Sequence, residues 1–190
     1  MEQALYDGER FEGLDFAGKP VAKSEYYKCS FGKCNFNKSD LSEVDFDECT
    51  FTDCDLTMAV LKNAGMRNIR FERCKLLGVD FSVCNMFRFE VGFSACVLDY
   101  SIFFKLKMPK TVFRDCSLRE AEFAEADLSQ AVFDRCDMDN AGFSFTNLEK
   151  ADLTTAYNYR IDPEQTRIRR AGFSYPALLG LLAKYDITIT

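Results

Sequence analysis

The chain has 190 residues, a formal net charge of −6, 47% hydrophobic residues, nineteen Phe, nine Cys, and neither His nor Trp. This length and apolar content exclude disorder and predict one folded unit. The lack of His excludes histidine bases, Ser-His or Cys-His pairs and imidazole metal ligands, which disfavours an enzyme, and the acidic balance argues against direct nucleic-acid binding by phosphate neutralisation.

The start, MEQALYDGER over Met1 to Arg10, lacks a basic segment followed by an apolar run, so no targeting segment is expected there. The apolar stretch Ala177 to Ala183 is too short to span a bilayer. A cytoplasmic location is therefore expected, with no membrane contact. From Phe11 onward a period of five governs the chain. Phe11, Phe16, Val21, Tyr26, Phe31, Phe36, Leu41, Phe46, Phe51 and Leu56 follow in steps of five, and the series runs to Phe81 and Met86. Two residues before most of these stands a small residue, as at Ser24, Cys29, Cys34, Ser39 and Cys49, and every cysteine of the chain occupies this slot.

A step of five matches neither the period of a helix nor the alternation of a long strand. The chain must turn a corner every five residues, with a small and a large residue pointing inward from each side. Four such sides make a turn of twenty, and turns stacked at the inter-strand spacing of roughly 4.8 Å make a rod. The reading is an all-β solenoid in three parts: an N-terminal cap with an irregular first turn over 1–25, where Lys19 and Pro20 disturb the slot before Val21, coils over 26–156, and a C-terminal cap over 157–190.

The repeats in CSFGKCNFNKSDLSEVDFDECTFTDCDL (29–56) and AEFAEADLSQAVFDRCDM (121–138) resemble the pentapeptide-repeat family, with its pattern A(D/N)LXX. The resemblance spans about residues 11–156 and implies a right-handed quadrilateral β-helix. Positions twenty apart then stack, so Cys34, Cys54 and Cys74 form one ladder and Cys96, Cys116 and Cys136 another. They are expected to be free, buried and unreactive thiols. No metal and no cofactor are expected.

The register breaks between Met86 and Phe93, where two extra residues within 87–92 bring Val91 into the small slot and predict a bulge. Phe87 and Phe89 then lack a regular inward place and are candidates for an exposed contact. Leu106, a large residue in a small slot, and Pro109 predict a distorted turn with Phe104 outside. After Leu153 the pattern dissolves, and the ending SYPALLGLLAKYDITIT predicts a short helix capped by Ser174, with an apolar stripe of Leu178, Leu179, Leu181 and Leu182, then a strand from Ile187. The layout is similar to the gyrase-protecting members of the family (Qnr-like, MfpA-like and microcin immunity proteins), which implies a homodimer through Leu178, Leu179, Leu182, Ile187 and Ile189.

Charge is banded. Residues 40–61 carry acids and no Lys or Arg, residues 62–75 are basic, and 115–152 are acidic again. The resemblance implies that a stiff acidic rod imitates DNA and engages a type II topoisomerase, DNA gyrase or topoisomerase IV, through Asp40, Asp45, Asp47, Glu48, Asp53, Asp55, Glu122, Glu125 and Asp127. The alternative is an interaction scaffold for another protein, contacted through the exposed aromatics and the 62–75 basic band. Catalysis is disfavoured further because a filled rod offers no evident cleft.

Overall fold

In a computed structural model describing residues 4–185 and Ile187, the chain winds as a parallel β-solenoid of about eight turns. Each coil places a residue beside its counterpart twenty positions on, as in Phe11 beside Phe31, Phe31 beside Phe51 and Phe51 beside Phe71. Two of the four faces carry short strands. On the first face Ala4–Asp7, Ser24–Tyr27, Asp45–Asp47 and Gly65–Arg67 form a four-stranded sheet; on the second, nine strands run from Arg10–Glu12 to Gly172–Phe173. The third and fourth faces are held by single bridges, such as Asp15 to Asn35 and Pro20 to Asp40.

Corners fall two residues after each large inward residue, where the backbone enters the left-handed region even without glycine: Lys28 at φ 53°, Lys33 at 50° and Lys38 at 53°. That conformation costs an L-residue about 1–2 kcal/mol. It is offset because the corner N–H donates to the next coil, Lys28 to the Asp47 carbonyl at 2.9 Å and Lys33 to Thr52 at 2.9 Å.

Inside, the large slots stack rings. The second face carries one file from Phe11 to Phe133, with Phe113 lying 5.2 Å from Phe93 and 5.0 Å from Phe133. Rings from a neighbouring face meet this file edge-on. In the early coils these come chiefly from Tyr6, Tyr26 and Phe46 of the first face, and later from Phe81, Phe103, Phe123 and Phe143 of the fourth. Such edge-to-face pairs add about 0.5–1.5 kcal/mol each beyond burial.

The small slots also satisfy hydrogen bonds. Cys54 Sγ donates to the Phe31 carbonyl at 3.3 Å, and where a hydroxyl takes the slot it does the same, Ser101 Oγ to Leu76 at 2.9 Å and Thr146 Oγ1 to Phe123 at 2.8 Å. All nine cysteines are free and buried. Burial pushes the Cys49 thiol up to about 12. The two expected cysteine ladders are one: Lys75 bridges Val97, which sets Cys96 on Cys74 and joins Cys34, Cys54, Cys74, Cys96, Cys116 and Cys136 in a single file on the third face.

Residues 4–21, read from the sequence as an irregular first turn, pair in register with the second coil, and Gly8, Gly13 and Gly18 occupy its left-handed corners. What distinguishes this coil is that Tyr6, Phe11, Phe16 and Val21 are only partly buried, as expected of an end layer. Pairing continues past residue 156, since Asn147 bridges Arg167 and Leu153 pairs with Phe173. Tyr159 and Ile161 fill the core there, at 3% and 2% exposure.

The C-terminal helical segment comprises a 3-10 turn over Pro176–Leu178, one α-turn over Leu179–Leu182 and a second 3-10 turn over Ala183–Tyr185. Its cap corrects the expectation of Ser174: Tyr175 is the N-cap residue, no side chain caps the turn, and Ser174 contributes its backbone carbonyl to Ala177 N–H at 3.2 Å. Gly180 lets the segment sit on the last coil, since a Cβ there would strike the Tyr159 carbonyl oxygen. Ile161 N–H donates to the Gly180 carbonyl at 3.0 Å, and Ala177 and Leu181 pack on the core. The expected terminal strand lies outside the described residues apart from Ile187.

Candidate functional site: the acidic bands, the register break and the C-terminal face

The sequence bands of opposite charge become neighbours when coils stack. Asp45 and Asp47 share Arg67 at 3.1 and 3.0 Å, and Asp53 pairs with Arg73 at 2.7 Å. Glu48 reaches Lys28 at 4.0 Å and Glu125 reaches Lys105 at 3.4 Å. The remaining predicted acids support turns. Asp40 accepts from Ser42 N–H, Asp55 from Thr57 and Asp127 from Ser129, at 2.9, 2.9 and 3.0 Å, and Glu122 from Ala124 at 2.7 Å. Bonds to Ser42 hold the Asp40 carboxyl below its ordinary range, and the Arg73 bond does the same for Asp53. These nine acids are spread over different faces and corners, each with an internal partner.

The break alters one face only. Gly65 still bridges Asn85, but no bridge joins Asn85 to Lys107, and pairing on the first face resumes between Lys107 and Asp127. The second face stays continuous because Val91 takes the slot above Ile69. Met86, which continues the five-residue series, does not point inward: it is 47% exposed, because the two extra residues carry the chain outward before Val91 restores register. Phe87 projects at 68% exposure, while Phe89 folds back half-buried onto the core. Phe104 lies outside as expected, with Lys105 Nζ 4.7 Å from its ring centre.

Leu106 is buried and its turn closes normally, with N–H to the Phe103 carbonyl at 3.2 Å and Lys110 at φ 64°. The distortion expected of this turn from Leu106 and Pro109 is therefore not found; what is lost is pairing with the preceding coil. A large residue fits this small slot because Met86 has left the layer beneath.

The missing bridges open a cleft of about 690 Å³ between the strand ending at Arg67 and the segment 107–112. The expectation of a rod without an evident cleft is corrected here. Six cations line it, Arg67, Arg70, Arg88, Lys107, Lys110 and Arg114, against Glu72 and Glu90. The composition gave no sign of this convergence. The basic band at 62–75 supplied part of it, but Arg88 and the segment 107–114 join only through the twenty-residue stacking.

Among the described residues no group of three or more Cys, Asp or Glu side chains is placed to hold a metal ion, and no helix is long and apolar enough to cross a membrane. At the C-terminal face Leu178, Leu179, Leu182 and Ile187 are 39%, 55%, 37% and 56% exposed. Ile189 lies outside the described residues.

A four-sided parallel coil with small and large inward residues at every fifth position defines a pentapeptide-repeat solenoid. Family models agree: a pentapeptide repeat region matches residues 24–103 and pentapeptide repeats in eight copies match 116–154. The chain belongs to the pentapeptide-repeat family. Among solved structures it is similar to trypsin-treated QnrB1, a plasmid-mediated fluoroquinolone resistance protein, with 19% identity and a TM-score of 0.62 over 100% of both chains. Full-length QnrB1 gives 18% identity and a TM-score of 0.62 over 98% of this chain and 100% of that one. HetL, from the cyanobacterium Nostoc and involved in heterocyst differentiation regulation, has 17% identity and a TM-score of 0.47 over 90% and 86%. Comparison with curated proteins by sequence gives no significant match.

Proposed function

We propose that the protein is a non-enzymatic binding rod, dimeric through its C-terminal face, that engages a type II topoisomerase and modulates it or spares it from a quinolone or toxin. The observation that supports this reading is correspondence in fold, along the whole of both chains, with a fluoroquinolone resistance protein. The exposed leucines and Ile187 suit a second copy of the same face. Purified protein at micromolar concentration should change gyrase supercoiling or quinolone-stabilised cleavage; unchanged activity in both assays removes the topoisomerase from the reading. Leu179→Asp with Ile187→Asp should convert a dimer to a monomer by solution mass, and a dimer that persists places the interface elsewhere.

A second reading, an interaction scaffold for a different protein, is favoured by one observation. All nine acids expected to imitate phosphates already have internal partners, whereas three cations without ion pairs among the described residues, Arg88, Lys107 and Lys110, gather at the break. A contact made at the cleft selects a partner by its negative charge, the reverse of DNA mimicry.

A further inference from the structure

The cleft on the first face combines three properties. Arg88, Lys107 and Lys110 are exposed and make no ion pair among the described residues, whereas Arg67, Arg70 and Arg114 at the same cleft pair with Asp45 and Asp47, Glu90 and Asp134. Two main-chain donors are also free. On regular coils the residue equivalent to Asn68 donates upward, as Glu48 N–H does to Arg67 at 2.8 Å, and the equivalent of Lys107 donates downward, as Asp127 N–H does to Leu106 at 2.8 Å. Neither Asn68 N–H nor Lys107 N–H has an acceptor among the described residues. Finally, Phe89, Val91, Pro109 and Val112 give the lining apolar surface.

We infer that this cleft binds an extended acidic peptide segment of a partner protein, with carboxylates against Arg88, Lys107 and Lys110 and apolar side chains against Phe89 and Val112. The unpaired side chains at the cleft are cations and main-chain donors lie beside them, so the ligand that matches them carries negative charge and acceptors. An extended segment supplies main-chain carbonyls to an interrupted ladder and alternates its side chains between two sides. A continuous nucleic-acid backbone fits less well, because Glu72 and Glu90 line the same cleft and would face phosphates. The inference rests on the binding-rod reading and adds the site and the chemistry of the partner.

The test is fluorescence anisotropy with a fluorescein-labelled peptide of about eight residues alternating Glu and Val. Saturable binding is expected, weakened about ten-fold or more by Arg88→Glu with Lys107→Glu, restored toward zero effect in the Lys150→Glu control, and absent for the peptide with Lys in place of Glu. These side chains are exposed, so unchanged circular dichroism should accompany the loss; should the double variant unfold, Lys110→Gln gives the same comparison with one charge removed. Hydrogen exchange should slow at the Asn68 and Lys107 amides on binding.

Equal binding by the reversed-charge variants, equal binding of the Lys peptide, or full displacement by inorganic pyrophosphate or a short oligonucleotide at matched concentration overturns the inference, as does no binding at millimolar peptide. The supercoiling assay separates this from the wider reading. A topoisomerase effect with no peptide binding removes the cleft alone, and peptide binding without a topoisomerase effect leaves the scaffold.

Discussion

On the third face six cysteines from Cys34 to Cys136 stack in one file past the coil that carries two extra residues, whereas on the first face the same coil leaves the rod and opens a cleft. The difference lies in where the extra residues fall. They enter after Asn85, at the end of the first face, and Val91 pairs with Ile69 at once, so the other faces never register the change. In a parallel solenoid each face is a separate ladder, and a local insertion is absorbed by one of them. The intact ladder is filled and internally satisfied. The broken one presents unpaired donors and charges.

The core that both faces share offers the largest effect. Phe113 is stacked between Phe93 and Phe133 and met edge-on by Phe103 and Phe123, so Phe113→Ala should cost about 3–5 kcal/mol in urea unfolding. Phe93→Ala, beside the cleft, should cost visibly less, because residues 86–90 can settle into the void. Equal costs would mean that the break is as rigid as the regular coils and would erase the contrast between faces.

A smaller effect probes the third face. Asp137 is 5% exposed, accepts from Asn158 Nδ2 at 2.8 Å and pairs with Arg119 at 2.6 Å. Burial raises its pKa, but Asn158 and Arg119 outweigh burial and hold it below the ordinary aspartate value. A depressed folded pKa contributes stability that is present above the unfolded value, about 3.9, and is lost as pH falls through the folded one. Asp137→Asn should therefore destabilise by about 1–2 kcal/mol at pH 7 and flatten the acid limb of the stability profile. An unchanged acid limb would show that the ladder does not depend on this charge.

The period of five made the solenoid legible because every coil repeats the same demand, one small and one large inward residue, and Phe and Cys answer it at fixed spacing. The break at 87–92 was legible for the same reason. Its consequence was not, because the direction in which Met86 and Phe89 turn depends on the layer above, where Leu106 fills a slot that elsewhere holds a small residue. The acidic bands misled in a related way. In sequence they look like unopposed charge, but a shift of twenty residues places Arg67 and Arg73 directly against Asp47 and Asp53. At the C-terminus Tyr159 and Gly180 carry no repeat signal, since their fit is with each other.

Deleting Phe87 and Arg88 restores a step of five from Met86 to Phe93 and turns the broken face into a copy of the intact one. Met86 then regains an inward slot, yet Leu106 already occupies part of that volume. Relief of the gap and overpacking oppose each other, each about 1–2 kcal/mol, so the net change should stay within about 1 kcal/mol while peptide binding at the cleft disappears. A deletion that unfolds the protein would show that the bulge is required by Leu106; deletion with Leu106→Ala should then recover the fold.

The smallest effect is expected where the rod is most regular. Cys116 occupies a slot that Ser101 and Thr146 fill on other coils by donating to a carbonyl of the preceding coil. Cys116→Ser retains the donor and shortens the side chain by a fraction of an ångström, so it should cost no more than about 1 kcal/mol, and Cys54→Ser likewise. The thiols themselves are buried, and Cys116, hydrogen bonded to its sulfur neighbours Cys136 and Cys96 and desolvated, is held above the ordinary thiol range. Thiol titration of the folded protein should find no rapidly reacting cysteine, with all nine labelled only on denaturation. Rapid labelling of Cys74 or Cys96, the two that flank the inserted coil, would mean that the break opens the third face as well as the first, and that the ladders are not independent.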